Sequence, residues 1–211
     1  MAPPIQITEK KLILTEGRDT YYFCIWAYQA FNTTGIQVLD FGGIKDLNIY
    51  LKNLTLLSGY ENIETIVIVR DAEIDSRAAV NSITSALKNA NLSVPGKPCE
   101  FAGNAPKVAY VVFPGFTEDA EGNQSLLDGT LEDLCLELVK EDEIFECVNQ
   151  YIQCLESKRQ DVRRLHKTKL HTYLAGKNNF VGLKIGEAAR VGAWDWNHVK
   201  LEPFKQVILG M

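Results

Sequence analysis

Acidic side chains follow two apolar runs of the sequence, at the points where those runs end. Glu16 comes directly after the run KLILT, and Asp71, Glu73 and Asp75 follow the run IETIVIV. If both runs are parallel strands of one sheet, their carboxyl ends share an edge. Carboxylates that meet there repel one another unless they are protonated or bridged by a cation. Mg²⁺ prefers such oxygen ligands, and a pair of these ions promotes phosphodiester cleavage. The spacing therefore predicts a divalent-metal site.

The elements that must position these side chains alternate along the chain. Short apolar runs predict strands, and the longer segments between them have helical periodicity. The predicted strands lie at 11–15, 36–41, 63–69 and 108–113, and the predicted helices at 19–31, 45–57, 76–89, 130–140 and 143–174, with a polar loop at 117–128. This order predicts an α/β fold, in which a parallel four-stranded sheet is flanked by helices and followed by a C-terminal helical extension.

The length and the hydrophobic content suit a single domain. The chain has 211 residues, of which 46% are hydrophobic, enough to form a core without disulfides or structural metals. We expect an α/β core over residues 1–116. A mostly helical extension over residues 117–211 is expected to pack on that core within the same domain.

Several motifs together resemble TOPRIM domains, which occur in topoisomerases, bacterial primases and the nucleases of the overcoming-lysogenization-defect group. Residues 15–19 (TEGRD) resemble the first TOPRIM motif, and residues 69–75 (VRDAEID) resemble its Asp-x-Asp motif, two strands later. Residues 128–134 (DGTLEDL) resemble a segment of a small stand-alone family of uncharacterised TOPRIM-like proteins. Pro114 and residues 166–170 fit the same family, and the resemblance covers about residues 10–200. It implies a TOPRIM-like, Rossmann-like sheet.

The resemblance assigns roles residue by residue. Glu16 matches the TOPRIM glutamate, which is a metal ligand or a general acid/base. Asp71 and Glu73 match the Asp-x-Asp pair that holds Mg²⁺, or Mn²⁺ in its place. Glu73 is one methylene longer than the aspartate of the family pattern, which shifts the ion and weakens catalysis.

Further charged positions are carried over in the same way. Asp19 and Glu132 match acidic positions that serve a second metal in the nuclease-like branch, although Thr20 stands where that branch often has another acid. Asp75 is expected to rim the same cleft as a further metal ligand. Lys167 matches a basic position that stabilises charge on the reacting phosphate, so the resemblance makes it catalytic together with Glu16. The alternative for Lys167 is membership of a general basic surface.

The basic residues are concentrated near the C-terminus. Residues 155–211 contain eleven Lys or Arg and five Asp or Glu, whereas the whole chain has 22 and 27. The excess is densest at 158–169, which predicts contact with a nucleic acid, DNA or RNA; a solvated helix face is the alternative. If this segment is one helix, Arg159, Arg163 and Lys167 share a face. We expect that face to border the acidic cleft.

Three functions compete for this sequence. The first is a Mg²⁺-dependent nuclease of the TOPRIM type. The second is a module that keeps the fold and binds nucleic acid or a partner without turnover, which Glu73 and Thr20 favour. The third is a phosphotransfer receiver or a phosphatase of the haloacid dehalogenase type. It ranks last, because it needs a nucleophilic aspartate where Glu16 stands.

Other patterns argue against an ATPase module, a zinc site and a membrane partner, and they indicate the compartment. No Walker motif is present, although the larger TOPRIM nucleases carry an ATPase module, so an ATPase would be a separate partner. The three histidines lie outside any Cys/His cluster, which argues against zinc. Because no apolar run is long enough to span a membrane, no membrane partner is expected. The odd number of cysteines, without a CxxC spacing, and the absence of a signal-like start predict the cytoplasm.

Overall fold

Four parallel strands form the central sheet of the protein. The computed structural model describes residues 6–119, 121 and 123–211. The strands are β1 (Lys11–Glu16), β2 (Ile36–Gly42), β3 (Thr65–Asp71) and β4 (Lys107–Phe113), in the order β2-β1-β3-β4. The predicted α/β fold with a parallel four-stranded sheet is confirmed. The first five residues, on which the expectation about a signal sequence rested, lie outside the described residues.

The register of the sheet brings two of the acidic strand ends to neighbouring positions. β1 is a central strand, because Thr15 pairs with Asp40 of β2 on one side and with Val69 of β3 on the other. Both neighbours run parallel to β1. Glu16 and Asp71 therefore end adjacent strands at the same edge of the sheet.

Alternate side chains of the strands enter two hydrophobic clusters, one on each face of the sheet. Leu12 and Ile66 belong to the cluster that includes α2 (Leu47–Leu54) and α3 (Ser76–Asn89). Their neighbours Ile13 and Val67 belong to the other cluster, with α1 (Gly17–Ala30). Both faces are thus covered by helices, which explains the near-continuous apolar strands.

The C-terminal part covers the face that carries α1. It contains the antiparallel strands β5 (Phe116–Glu118) and β6 (Gln124–Leu126), the helices α4 (Leu131–Val139), α5 (Ile144–Ser157), α6 (Leu165–Ala175), α7 (Ile185–Arg190) and α8 (Glu202–Leu209), and the 3₁₀ helix Val199–Leu201. Leu134, Leu174 and Phe204 are buried in the same cluster as Phe23 of α1. A second 3₁₀ helix, Tyr60–Asn62, precedes β3. The predicted polar loop at 117–128 was wrong in part, since short, largely polar strands give no apolar signal.

The single helix predicted over 143–174 is wrong, because the chain forms two helices there. α5 ends at Ser157, and Arg159 adopts a left-handed conformation with φ 56°. The Gln160 N–H donates back to the Leu155 carbonyl at 3.1 Å, which closes the end of the helix. α6 begins only at Leu165.

This break removes the predicted basic stripe. Arg159, Arg163 and Lys167 share no helical face, because only Lys167 of the three lies on α6. Arg163 lies in the connection and forms an ion pair with Asp161 at 2.9 Å, with both side chains largely exposed. The segment 158–169 is therefore a loop followed by the start of a helix.

The cysteines are all free thiols. Cys24 and Cys135 are buried, Cys99 is half-buried, and Cys147 and Cys154 are exposed on α5. Among the described residues, no helix is both long and apolar enough to cross a membrane.

Candidate functional site

An open cleft of about 450 Å³ lies where β1 and β3 end. Carboxylates and cations line it together. Its lining residues include Glu16, Arg18, Asp19, Thr20, Asp71, Glu73, Glu132, Arg164, His166 and Lys167. The structure thus brings together six of the predicted site residues: Glu16, Asp19, Asp71, Glu73, Glu132 and Lys167.

Asp71 is a half-buried carboxylate of the cleft. It ends β3, and its Oδ1 accepts a hydrogen bond from the Leu131 N–H at 3.0 Å. This bond fixes the start of α4 against the end of the sheet. Burial raises the pKa of Asp71 well above its usual range, and the nearby carboxylates of Glu132 and Glu16 raise it further. A cation beside Asp71 would relieve that repulsion.

Glu16 stands on the turn from β1 to α1. The Gly17 N–H donates to Asp40 Oδ1 at 3.0 Å, which ties this turn to the end of β2. Burial raises the pKa of Glu16 to about 7, although the Arg70 guanidinium opposes the shift. Arg70 Nε lies 3.3 Å from Glu16 Oε2. The contact lacks hydrogen-bond geometry, and among the described residues Glu16 Oε2 has no hydrogen-bonding partner.

Glu73 is held by its backbone. Its φ of 58° is left-handed, a conformation that non-glycine residues rarely adopt. The Glu73 N–H donates to the Gly129 carbonyl at 2.8 Å, and the Gly129 N–H donates to the Glu73 carbonyl at 2.7 Å. Gly129 has a φ of 133°, and a Cβ there would lie 2.8 Å from Asp133 Oδ2. A side chain at position 129 would therefore be strained and would crowd Asp133, so glycine suits the point where the two loops meet.

The first turn of α4 presents Glu132 to the cleft. The Thr130 N–H donates to Asp133 Oδ2 at 2.8 Å in a capping box, which orients this turn. Lys167 Nζ of α6 lies 3.0 Å from Glu132 Oε1. Burial acts to raise the pKa of Glu132, but hydrogen bonds from Lys167, from its own backbone N–H and from Thr130, together with the Lys167 charge, lower it overall. Glu132 therefore carries its negative charge at neutral pH.

Asp19 lies in the first turn of α1, at the outer side of the cleft. Although its side chain is partly exposed, the surrounding protein withdraws water from the carboxylate and raises its pKa. The Glu132 carboxylate adds to the rise, whereas Lys184 and Lys167 oppose it. Thr20, the next residue, is buried and lines the same cleft with a hydroxyl rather than a carboxylate.

Asp75 does not line the cleft. It is the N-cap of α3, and its Oδ1 accepts a hydrogen bond from the Ala78 N–H at 2.9 Å. Asp128 Oδ1 accepts from the Ser76 N–H at 2.8 Å beside it. The metal-ligand role expected for Asp75 is therefore replaced by helix capping, which aspartate performs well.

The sequence of the chain matches one known family over most of its length. Residues 10–209 match the family described as "Protein of unknown function (DUF3226)". The chain belongs to this family. The DUF3226 chain is also similar to a solved structure described as the C-terminal region of the OLD protein of Xanthomonas campestris pv. campestris, with a TM-score of 0.47 and 19% sequence identity, over 95% of this chain and 94% of that chain. A comparison with curated proteins found no match.

The donor atoms of the cleft suit a hard divalent cation. Within residues 6–119, 121 and 123–211, no group of three or more His, Cys, Asp or Glu side chains of the DUF3226 chain is arranged to hold a metal ion by itself. Mg²⁺ usually takes only one or two carboxylates and completes its shell with water and substrate phosphate. Asp71 supplies a half-buried carboxylate, and Glu16 Oε2 is a buried oxygen without a hydrogen-bonding partner in the described part. These donors fit Mg²⁺ or Mn²⁺ with few protein ligands.

Two side chains at the site were not predicted from the sequence: Arg70, which is buried beside Glu16, and Arg18, which lines the cleft of the DUF3226 chain. Arg164 and His166 also line the cleft, and they lie in the basic segment 158–169, of which only Lys167 was predicted as a site residue. Arg70 had a usable signal, because an arginine inside an apolar strand needs a charged partner. Arg18 had no such signal, since its position depends on how α1 meets the sheet.

Proposed function

We propose that this chain carries out Mg²⁺-dependent phosphodiester cleavage on nucleic acid, as a nuclease of the TOPRIM type. The observation that supports it is that Glu16, Asp71 and Glu132 line one cleft together with the cations Arg164 and Lys167. An acidic cleft alone repels phosphates. Carboxylates for a metal with cations beside them are what a polyanionic substrate requires.

Each side chain of the cleft has a proposed role that follows from its charge and position. Asp71 and Glu73 would hold the metal, and Glu16 would complete the site or move a proton. A bound divalent ion would stabilise negative charge on the reacting phosphate oxygens. With a pKa of about 7, Glu16 is populated in both protonation states near neutrality, as a general acid or base should be. Lys167 and Arg164 would balance the negative charge of the phosphate. Lys167 would give up its ion pair with Glu132 in order to contact the phosphate.

A non-catalytic module that binds nucleic acid or a partner is the second candidate. Two ion pairs favour it, because Arg70 already faces Glu16 and Lys167 already faces Glu132. These pairs neutralise part of the acidic cleft without a metal. Under either function we propose a cytoplasmic location, since all five cysteines are free thiols, the state that a reducing compartment maintains. A separate ATPase partner remains a prediction of the resemblance.

The metal is tested by calorimetric titration with Mg²⁺ and with Mn²⁺. Asp71→Asn removes the charge but keeps an oxygen that can accept from the Leu131 N–H, so the fold is retained. Asp75→Asn is the matched control, because asparagine caps helices as well as aspartate does. We expect binding by the wild type and by Asp75→Asn and a loss of binding by Asp71→Asn. Equal binding by all three proteins would reject the metal site at Asp71.

The reaction is tested by incubating end-labelled DNA and RNA, single-stranded and duplex, with Mg²⁺ or with EDTA. Cleavage that requires Mg²⁺ and disappears in Asp71→Asn is expected of the nuclease. Binding of these substrates without any cleavage would leave the second candidate.

A further inference from the structure

A second groove, of about 540 Å³, adjoins the acidic cleft. One wall is α1 and the other is α7 with the residue before it. It is lined by Arg18, Asp19, Tyr22, Trp26, Lys184, Gly186, Glu187 and Arg190. Arg18 and Asp19 line both spaces. The groove therefore continues the cleft along α1, away from Asp71.

Three of the lining residues form one stripe on α1. Arg18, Tyr22 and Trp26 are spaced four residues apart, so they lie on the same face of the helix over about 12 Å. Tyr22 is 39% exposed, whereas Trp26 is half-buried and packs partly against the core. Arg18 Nη2 lies 3.3 Å from the Tyr22 hydroxyl. The stripe thus begins with a cation beside the cleft and continues with two aromatic rings.

The position of Tyr22 is fixed by close packing. A Cβ at Gly186 would lie only 2.3 Å from Tyr22 Cβ, so α7 approaches α1 at the one place where it has no side chain. The Tyr21 ring meets the Tyr22 ring edge-on, with centroids 5.0 Å apart and an interplanar angle of 89°. A ring that is held in this way loses little freedom when a ligand stacks on it.

The charges of the groove favour an anion. Arg18, Lys184 and Arg190 are exposed cations, and within the part of the chain that the structure describes none of them forms an ion pair. Two carboxylates also line the groove. Glu187 accepts a hydrogen bond from the Lys184 N–H at 2.9 Å, and Asp19 belongs equally to the cleft.

We propose that this groove binds the unpaired nucleotides of a single-stranded nucleic acid next to the bond that is cleaved. The proposal rests on the proposed function and names its substrate class. Bases of a duplex are stacked on one another and paired, whereas those of a single strand present free faces to aromatic side chains. Tyr22 and Trp26 receive the bases, and Arg18, Lys184 and Arg190 contact the backbone phosphates.

The stacking part is tested by binding alone, in EDTA, so that no cleavage occurs. The probes are fluorescently labelled oligodeoxythymidylate, oligouridylate and a DNA duplex of equal length. Tyr22→Leu removes the ring, and Tyr22→Phe is its control, because it keeps the ring but loses the hydroxyl that meets Arg18. Tyr22→Leu should bind the single strands about tenfold more weakly, with Tyr22→Phe close to the wild type and duplex binding unchanged.

The charge part uses a pair of double variants. Lys184→Gln with Arg190→Gln removes two positive charges from the groove, whereas Lys52→Gln with Lys88→Gln removes two from exposed lysines on α2 and α3, across the sheet. Only the first should weaken single-strand binding and flatten its salt dependence. The slope of the logarithm of the binding constant against the logarithm of the salt concentration should decrease in magnitude by about 0.7 for each phosphate that the protein no longer neutralises.

Each result separates the groove from the nuclease. If Tyr22→Leu binds single strands as the wild type does, or if the wild type binds them no better than duplex, the groove proposal is rejected even where Mg²⁺-dependent cleavage is found. If binding depends on Tyr22 while no cleavage occurs with Mg²⁺, single-strand binding in the groove is supported, but the nuclease, and with it a position next to a cleaved bond, is rejected. Equal dependence of oligodeoxythymidylate and oligouridylate on Tyr22 would show that the rings accept both sugars.

Discussion

Arg70 Nε lies 3.3 Å from Glu16 Oε2, and the two side chains are only 3% and 11% exposed. Neighbouring strands bring them together, since β1 and β3 are in parallel register up to Thr15 and Val69. The Lys10–Glu64 pair spans the same two strands at their other end, at 2.7 Å, but its side chains are 66% and 58% exposed. The same two strands thus carry one buried and one exposed ion pair, so the contributions of the two pairs to stability can be compared directly.

We expect the two pairs to differ sharply in their contribution to stability. Arg70→Met keeps the length of the buried side chain but leaves Glu16 without its counter-charge, which should lower the free energy of unfolding by about 3 kcal/mol. Lys10→Met should change it little, because water screens an exposed pair. Urea denaturation of the three proteins at pH 8 measures both effects. Equal losses in the two variants would contradict the burial of Arg70.

The raised pKa of Glu16 predicts that the metal-free protein loses stability as pH rises. The pKa of Glu16 is about 7 in the folded state, against an ordinary value of 4.5 in the unfolded chain, so the folded protein binds more protons between these values. By linkage, the contribution of Glu16 to stability is fully present below about pH 4.5 and is lost as pH rises through about 7. Glu16 alone should account for on the order of 2–3 kcal/mol of that fall.

Glu16→Gln should flatten this pH dependence, because glutamine does not titrate. The free energy of unfolding is measured in urea with EDTA at pH 5, 6, 7 and 8. The slope, rather than the absolute stability, is the readout, since the variant also leaves Arg70 unpaired. A variant with the slope of the wild type would show that Glu16 has an ordinary pKa.

The sheet and two of its acidic strand ends were predictable because they depend on local patterns. Apolar runs of strand length specify β1, β2, β3 and β4, and parallel order then places Glu16 and Asp71 at one edge. Asp75 follows the same rule but begins a helix, and capping of α3 determines its orientation. A residue that satisfies a strand-end pattern and a capping pattern together cannot be assigned from spacing alone.

The cationic part of the site was predicted less well, because it depends on a helix boundary without a marker. The connection between α5 and α6, residues 158–164 (KRQDVRR), contains neither glycine nor proline. Without such a helix breaker, the sequence predicted one continuous helix through this segment. In the structure, Arg159 has a positive φ and the helix ends before it. Tyr22 and Trp26 were not predicted as binding residues, since the groove exists only where α7 meets α1.

Lys167 should be important for turnover if the chain is a nuclease. Lys167→Met removes the ammonium that lies 3.0 Å from Glu132 Oε1. The reacting phosphate then loses a stabilising positive charge, and Glu132 loses its ion pair. We expect kcat for Mg²⁺-dependent cleavage to fall about 100-fold, as when one stabilising donor is removed from an active site. Lys169→Met is the control, because Lys169 lies on the same helix but does not line the cleft. Similar losses in both variants would indicate a general charge effect instead.

Two neighbouring arginines should differ in their effect on nucleic-acid binding. Arg164 lines the cleft, whereas Arg163 is 86% exposed and paired with Asp161. Arg164→Ala should weaken binding and reduce the logarithmic salt slope by about 0.7 for a single strand, because the protein neutralises one phosphate fewer and releases fewer counterions. Arg163→Ala removes the same charge from a position outside the cleft. The salt slope of nucleic-acid binding by this variant should therefore match that of the wild type. Fluorescence anisotropy of a labelled single strand over a series of KCl concentrations gives both slopes. If Arg163→Ala reduces the slope as much as Arg164→Ala does, the whole basic segment binds phosphate, and the cleft is not where the strand is held.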